Sequence, residues 1–153
     1  AAGAGLGFLP VVGIGLVQTG QVSAELLAAA VPPFFLTFNL LLLNEFPDFE
    51  ADKVGDRRNL LHRLGTDRGG QLYVLAGAAA AASVVAAVAA GILPVAGLVA
   101  LAPFALFARP ARWALDDPAT GTDVPEDVLK ANVGWILVTN AVLGIAIAAP
   151  ALL

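Results

Sequence analysis

The sequence predicts an all-α protein, a multi-span bundle of transmembrane helices. Of its 153 residues, 59% are hydrophobic and only 13% are charged, whereas about 25% of the residues in ordinary soluble domains are charged. The mean hydropathy is +0.85. Uncharged stretches cover residues 1–24, 26–44, 69–108 and 131–153. Because a membrane-spanning helix needs about 20 mostly apolar residues, these stretches predict an integral membrane protein.

The composition also excludes several classes of protein. The chain has no cysteine and one histidine, which excludes disulfides and metal sites built from cysteines or several histidines. A net charge of −4 argues against a nucleic-acid partner, which requires clustered Lys and Arg. The chain starts at Ala1 inside an apolar stretch, without Met or a basic leader. We therefore expect one membrane domain, residues 1–153, that is part of a longer protein.

Five membrane spans are predicted within this domain. As one helix, residues 69–108 would be roughly 60 Å long, about twice the thickness of the hydrocarbon layer. This stretch is therefore divided at residues 91–94, where glycine and proline favour a turn. Pro32 and Pro33 predict a kink in the second span. The predicted spans are residues 1–17, 26–43, 70–90, 93–108 and 131–150.

The basic residues predict the orientation of the bundle. All 8 lie in two polar segments, residues 44–68 and 109–130, while the connections near residues 18–25 and 91–94 contain none. Because two spans separate the basic segments, both lie on one side of the membrane. The positive-inside rule places that side in the cytoplasm. We expect the plasma membrane of a prokaryote, with the first residue inside and the last outside.

The first polar segment carries a repeated acidic pattern. Asn44, Asp48, Asp52 and Asp56 recur every four residues, which places them in one row on a helix, and Pro47 favours a new helix start. Carboxylates one turn apart repel each other, so the row requires a cation. Mg²⁺ binds one or two carboxylates and shares its other positions with water and phosphate oxygens. The spacing alone supports a magnesium site and a solvated, salt-bridged loop equally.

Residues 44–65 also carry a family resemblance. They read N-E-F-P-D-F-E-A-D-K-V-G-D-R-R-N-L-L-H-R-L-G. This segment resembles the second aspartate-rich motif of the UbiA-type intramembrane prenyltransferases, in the branch that includes the 1,4-dihydroxy-2-naphthoate polyprenyltransferases. The shared pattern is N-x-x-x-D-x-x-x-D-K, then a basic pair, then R-L-G. Residues 5–20 resemble the helix and turn that precede the motif.

The resemblance implies a fold, an activity and a set of site residues. It implies nine helices around a cavity, of which this chain would contain the fifth to the ninth. It implies Mg²⁺-dependent transfer of a prenyl group from an isoprenoid diphosphate to an aromatic, quinone-precursor acceptor within the lipid bilayer. By this resemblance, Asp48 and Asp52 are the catalytic pair that coordinates Mg²⁺. The residues implied to bind pyrophosphate are Asn44, Lys53, Arg57 and Arg58.

The chain departs from the family pattern at two points. Pro47 stands where many relatives have arginine. The first aspartate-rich motif, N-D-x-x-D-x-x-x-D, is absent from this sequence. The acidic cluster at residues 116–127 has neither the spacing nor the Asn of that motif, and we expect it to be a solvated loop. We therefore expect an N-terminal half that carries the first motif as a partner, and an inactive chain without it. The alternative is a non-catalytic or degenerate membrane subunit.

Each of four further polar residues has two possible roles. Asn39, Thr139 and Asn140 lie within predicted spans, where polar side chains either bond between helices or line a substrate path. We favour interhelical hydrogen bonds. His62 is a candidate base, but its place among arginines at the end of the first polar segment favours a surface or interfacial role.

The predicted topology determines from which side an introduced cysteine reacts. The native chain has no cysteine, so Thr122→Cys in the second basic segment reports its location without background. We expect an impermeant maleimide to label it only when the cytoplasmic face is exposed, because that segment is basic. Gln21→Cys, in the opposite connection, is the control and is expected to react in intact cells. Labelling of Thr122→Cys from outside alone would show that the topology is wrong.

Overall fold

The computed structural model describes residues 2–116 and 123–149, and every regular element in these ranges is a helix. Ala1, Thr122 and the end of the last predicted span lie outside them. A π-helical turn, Gly3–Phe8, leads directly into the first α-helix. The α-helices are α1 (Leu9–Thr19), α2 (Ala24–Asn44), α3 (Phe49–Val54), α4 (Leu60–Leu64), α5 (Thr66–Ala89), α6 (Phe104–Asp116) and α7 (Glu126–Ala148), and a 3₁₀ helix, Val95–Leu101, precedes α6.

Three helices, α2, α5 and α7, are long and apolar enough to cross a membrane. The 3₁₀ helix and α6 form a fourth candidate span if they are taken together, with a bend of 42° between them. The remaining apolar helix, Gly3–Thr19, is shorter than these. The described part of the chain is therefore a helical membrane bundle with three to four candidate spans, and the prediction of five spans is not confirmed.

The fourth predicted span has a different form in the structure. Pro94 and Pro103 lie on either side of the 3₁₀ helix, and because proline has no amide hydrogen it interrupts a continuous helix. α6 then continues through Arg109, which the sequence analysis placed in a polar segment. Nε of Arg109 donates to Oδ2 of Asp127 at 2.7 Å. This exposed contact joins α6 to the first turn of α7.

Buried polar side chains join α2, α5 and α7. Nδ2 of Asn39 donates to the carbonyl oxygen of Tyr73 at 3.0 Å, and the Tyr73 hydroxyl donates to Oδ1 of Asn132 at 2.8 Å. The expected interhelical bond is therefore present at Asn39. Thr139 Oγ1 and Asn140 Oδ1 are buried without a hydrogen-bond partner among the described residues.

One apolar cluster, which we call the end cluster, holds the ends of several helices together. It contains Leu42, Leu43, Phe46, Leu61, Tyr73, Trp113, Ala114 and Val128. These residues come from the end of α2, the segment that follows it, the start of α5, the end of α6 and the start of α7. Phe46 and Trp113 meet edge to face, with ring centroids 5.2 Å apart. The end cluster therefore brings both basic segments to the same end of the bundle.

Gly70 allows α5 to approach α6 closely within the bundle. A Cβ added at Gly70 would overlap the backbone carbonyl of Ala114. We expect Gly70→Ala to destabilise the protein by about 1–3 kcal/mol because backbone atoms must move, although alanine favours helices. Gly13→Ala is the matched control, since nothing lies within 4 Å of a Cβ added there. Thermal unfolding in detergent measures both variants, and equal midpoints would contradict this packing.

Candidate functional site

The polar segment between α2 and α5 folds into two short helices over the end of the bundle. Asp48 precedes the first turn of α3. Asn59 precedes α4, and its Oδ1 accepts a hydrogen bond from the backbone N–H of His62 at 3.0 Å. Phe46 and Leu61 are buried at 1% and 0% exposure and anchor the segment in the end cluster. The polar side chains of α3 and α4 are therefore held at the mouth of the bundle.

The acidic row that the sequence predicts on one helix is divided among several segments. Asn44 is the last residue of α2, Asp48 lies just before α3, and Asp52 lies within α3. Asp56 follows α3 in a left-handed backbone conformation, with φ of 51°. A new helix does begin after Pro47, at Phe49. Asp48 and Asp52 remain one helical turn apart, because the backbone N–H of Asp52 donates to the carbonyl oxygen of Asp48 at 2.8 Å. Asn44 and Asp56 do not continue this turn.

Asp52 is the more enclosed carboxylate of the catalytic pair that the resemblance implies. Its side chain is 21% exposed, whereas Asp48 is largely exposed to solvent. Oδ2 of Asp52 accepts a hydrogen bond from Nδ2 of Asn59 at 3.2 Å. Oδ1 lies 4.0 Å from Nη1 of Arg57. The first contact fixes one carboxylate oxygen, and the longer second contact leaves the other available to a ligand.

His62 connects α4 to α3. Its ring stacks on Phe49, with centroids 4.4 Å apart and planes 13° apart. Nδ1 lies 2.6 Å from Oδ1 of Asn59, and Nε2 lies 2.8 Å from the carbonyl oxygen of Phe49. Because both nitrogens have partners, the geometry favours the interfacial role of His62 over that of a base.

A basic cleft of about 590 Å³ lies between α3 and α4. Its lining residues are Lys53, Asp56, Arg57, Arg58, His62 and Arg63. Three of the four residues implied to bind pyrophosphate therefore share one cleft. Asn44 is not among the lining residues, because α2 ends before the chain turns into α3. The side chains of Arg57 and Arg58 are 83% and 81% exposed, so their guanidinium groups are accessible to an anion.

Arg63 lines this cleft from α4 but is not one of the predicted site residues. Its presence in the R-L-G part of the motif, one helical turn after Asn59, was the available signal. The position of its side chain depends on how α4 packs against α3, which the sequence pattern does not contain.

Glu45 was also missed, and it joins the end of α2 to α4. Its Oε2 accepts a hydrogen bond from the backbone N–H of Leu61 at 3.2 Å. Burial raises the pKa of this carboxyl above its ordinary value of 4.5; the Leu61 N–H opposes the rise, and the charge of Asp52 adds to it. A carboxylate directly after the apolar span was the available signal. Its hydrogen bond depends on the path of the chain, which brings Leu61 of α4 back to the end of α2.

The donor chemistry of Asp48 and Asp52 fits Mg²⁺, a hard cation that prefers carboxylate oxygens. Within residues 2–116 and 123–149, no three His, Cys, Asp or Glu side chains form a cluster that could hold a metal. Asp48 and Asp52 lie one helical turn apart, with the backbone N–H of Asp52 donating to the carbonyl oxygen of Asp48 at 2.8 Å, and so form a pair of carboxylates along the chain. Such a pair suits Mg²⁺ bound together with phosphate oxygens and water.

A basic cleft next to the Asp52 carboxylate, at the end of an apolar helical bundle, is typical of an integral membrane protein that binds a polyanion. Residues 1–125 match the UbiA prenyltransferase family. This match covers most of the chain, so the protein belongs to the UbiA prenyltransferase family, whose members transfer prenyl groups. The family resemblance of residues 44–65 is thereby confirmed, while the match does not distinguish its branches. No curated protein and no solved structure matches this chain.

The half-buried carboxyl of Glu45 makes the stability of the protein pH-dependent. Its raised pKa means that the folded state favours the protonated form, so the contribution of Glu45 to stability falls as the pH rises from 4.5 through the folded-state value. Glu45→Gln keeps an oxygen acceptor for the Leu61 N–H but cannot ionise. We expect its thermal midpoint to equal that of the wild type below pH 4.5 and to exceed it at neutral pH.

Thermal unfolding in detergent across this pH range measures the effect. Glu50→Gln is the control, because Glu50 is an exposed carboxylate on α3 and its removal is expected to leave the midpoint unchanged. The same pH dependence in the wild type and Glu45→Gln would contradict the role assigned to Glu45.

Proposed function

We propose that this protein transfers a prenyl group from an isoprenoid diphosphate to an aromatic acceptor of the quinone-precursor type within the membrane, with Mg²⁺ as cofactor. The motif resemblance favours the branch that includes the 1,4-dihydroxy-2-naphthoate polyprenyltransferases. The observation that carries the proposal is the basic cleft lined by Lys53, Arg57 and Arg58. The Asp52 carboxylate lies 4.0 Å from the guanidinium of Arg57. Membership of the UbiA prenyltransferase family supports prenyl transfer in general.

The basic cleft has the chemistry of a diphosphate site. Arginine presents a planar fork of N–H donors that matches phosphate oxygens, and lysine adds a compact positive charge. Arg57, Arg58 and Lys53 line the cleft together. In the proposed complex, these three side chains bind the pyrophosphate, and Arg63 adds a fourth cation from α4.

Asp48 and Asp52 are the residues that would hold Mg²⁺ next to this cleft. When bound, Mg²⁺ neutralises the negative charge that develops on the departing pyrophosphate. Asn44, at the end of α2, is close in sequence to this pair, and we propose that it supports the site from the membrane side.

Apolar side chains at the end of α2 suit the isoprenoid part of the substrate. A cavity of about 240 Å³ adjoins Glu45 and is lined otherwise by Ala2, Phe38, Leu41, Leu42 and Leu60. Leu60 of α4 lines this cavity, while His62 and Arg63 of the same helix line the cleft. The first isoprene units would therefore extend from the cleft into an apolar environment, where these side chains exclude water from the reactive end of the prenyl group.

We also propose that catalysis requires a second aspartate-rich segment from an N-terminal half of the enzyme. Asp48 and Asp52 offer a divalent cation few carboxylate ligands, and water would complete the octahedral shell weakly. The isolated chain is then the C-terminal part of the active site. We place this site on the cytoplasmic side of a prokaryotic plasma membrane, because the basic residues lie in the two segments at that end.

Neutralising the carboxylate pair tests the metal assignment. In the complete enzyme, Asp48→Asn and Asp52→Asn are each expected to lower prenyl transfer by at least about 100-fold, because several kcal/mol of charge stabilisation are lost. A radiolabelled prenyl transfer assay with Mg²⁺ measures the rate. Glu50→Gln, which removes an exposed carboxylate from the same helix, is the matched control and is expected to retain the wild-type rate.

Three results would each overturn a different part of the proposal. Near-normal turnover by the purified Asp48→Asn, Asp52→Asn double variant would remove the metal assignment. Absence of prenyl transfer by the complete wild-type protein would remove the activity and favour a non-catalytic membrane subunit. Strong Mg²⁺-dependent turnover by the 153-residue chain alone would remove the requirement for a second segment.

A further inference from the structure

A hydrogen-bonded link joins the Asp52 carboxylate to α4 through Asn59. Nδ2 of Asn59 donates to Oδ2 of Asp52 at 3.2 Å. At the other end of the same amide, Oδ1 accepts from the backbone N–H of His62 at 3.0 Å and lies 2.6 Å from Nδ1 of that ring. Because the backbone N–H of His62 donates to Oδ1, the amide nitrogen is the atom that faces Asp52. The family resemblance assigns no role to Asn59.

The partners of Asn59 are also fixed. His62 stacks on Phe49 and contacts its carbonyl oxygen through Nε2 at 2.8 Å. Asp52 and Phe49 lie on α3. Asn59 directly precedes α4 and His62 lies within it, so these contacts connect the two helices at two points. Helices of 6 and 5 residues are too short to be stable alone. These contacts therefore determine how the Asp52 carboxylate is directed.

We propose that Asn59 is a positioning residue that holds the Asp52 carboxylate in the orientation needed for metal and diphosphate binding. This inference rests on the proposed function, which places Mg²⁺ at Asp52. Ligating carboxylates are commonly oriented by a hydrogen bond from a second residue. The amide of Asn59 is neutral, so it orients Oδ2 without cancelling the negative charge that attracts the cation. Oδ1, 4.0 Å from the guanidinium of Arg57, remains available to the metal.

Two substitutions separate this role from the helix-capping role of the same side chain. Asn59→Ser keeps a strong N-cap oxygen for α4 but has no amide N–H to reach Asp52. Asn59→Ala removes both contacts. In the complete enzyme, we expect Asn59→Ser to raise the Mg²⁺ concentration for half-maximal prenyl transfer on the order of 10- to 100-fold. We expect the KM for the aromatic acceptor to be unchanged and the rate to recover at high Mg²⁺.

Binding of Mn²⁺ in the presence of inorganic pyrophosphate, followed by electron paramagnetic resonance, measures the same effect without turnover. The wild type is expected to bind Mn²⁺, and Asn59→Ser is expected to bind it more weakly by the same factor. The thermal midpoint is expected to fall for Asn59→Ala and to remain near the wild-type value for Asn59→Ser, because only alanine removes the cap.

The outcomes distinguish this inference from the proposed function. If the wild type binds Mn²⁺ and Asn59→Ser binds it equally well, with an unchanged Mg²⁺ requirement, Asn59 is a helix cap only and the inference is overturned. If the wild type binds no Mn²⁺ with pyrophosphate present, the result contradicts the proposed metal site at Asp48 and Asp52. It then also contradicts the positioning role of Asn59.

Discussion

The rest of the structure depends on the burial of Phe46 and Leu61 in the end cluster. These two residues lie before and after the acidic part of the polar segment, and each is almost completely buried. Burying a large apolar side chain contributes about 1.5–3 kcal/mol. A Cβ on Gly69 would overlap the side chain of Leu61, so a glycine at this point allows α4 to pack against α5. The apolar anchors thus hold a charged segment against the end of the bundle.

The charges in this segment are oriented mainly by neutral partners. Asp52 is held by the amide of Asn59, and Glu45 by the backbone N–H of Leu61. The ion pairs beside the cleft are long or exposed: Arg58 and Asp56 lie 3.9 Å apart with side chains 81% and 94% exposed. Exposed pairs of this kind contribute little to stability. The basic residues of the cleft therefore keep most of their capacity to bind an anionic ligand.

The sequence by itself determined the fold class and the family of the protein. Long uncharged stretches predicted a helical membrane bundle, because a backbone in lipid must satisfy its hydrogen bonds within a helix. The pattern from Asn44 to Gly65 predicted the UbiA-type family, and the match over residues 1–125 bears this out. Both inferences were accessible because hydropathy and motif spacing are local properties of the chain.

Only the tertiary structure decided how the polar segment is arranged. The spacing placed Asp56 in a helical row, whereas its left-handed backbone turns the chain from α3 toward α4. That turn brings Asn59 to Asp52, His62 to Phe49 and Arg63 to the cleft. Likewise, hydropathy predicted a fourth span at residues 93–108, whereas the structure has a 3₁₀ helix, Val95–Leu101, followed by α6. The arrangement of the polar segment depends on contacts between α3 and α4, which a periodic sequence pattern does not encode.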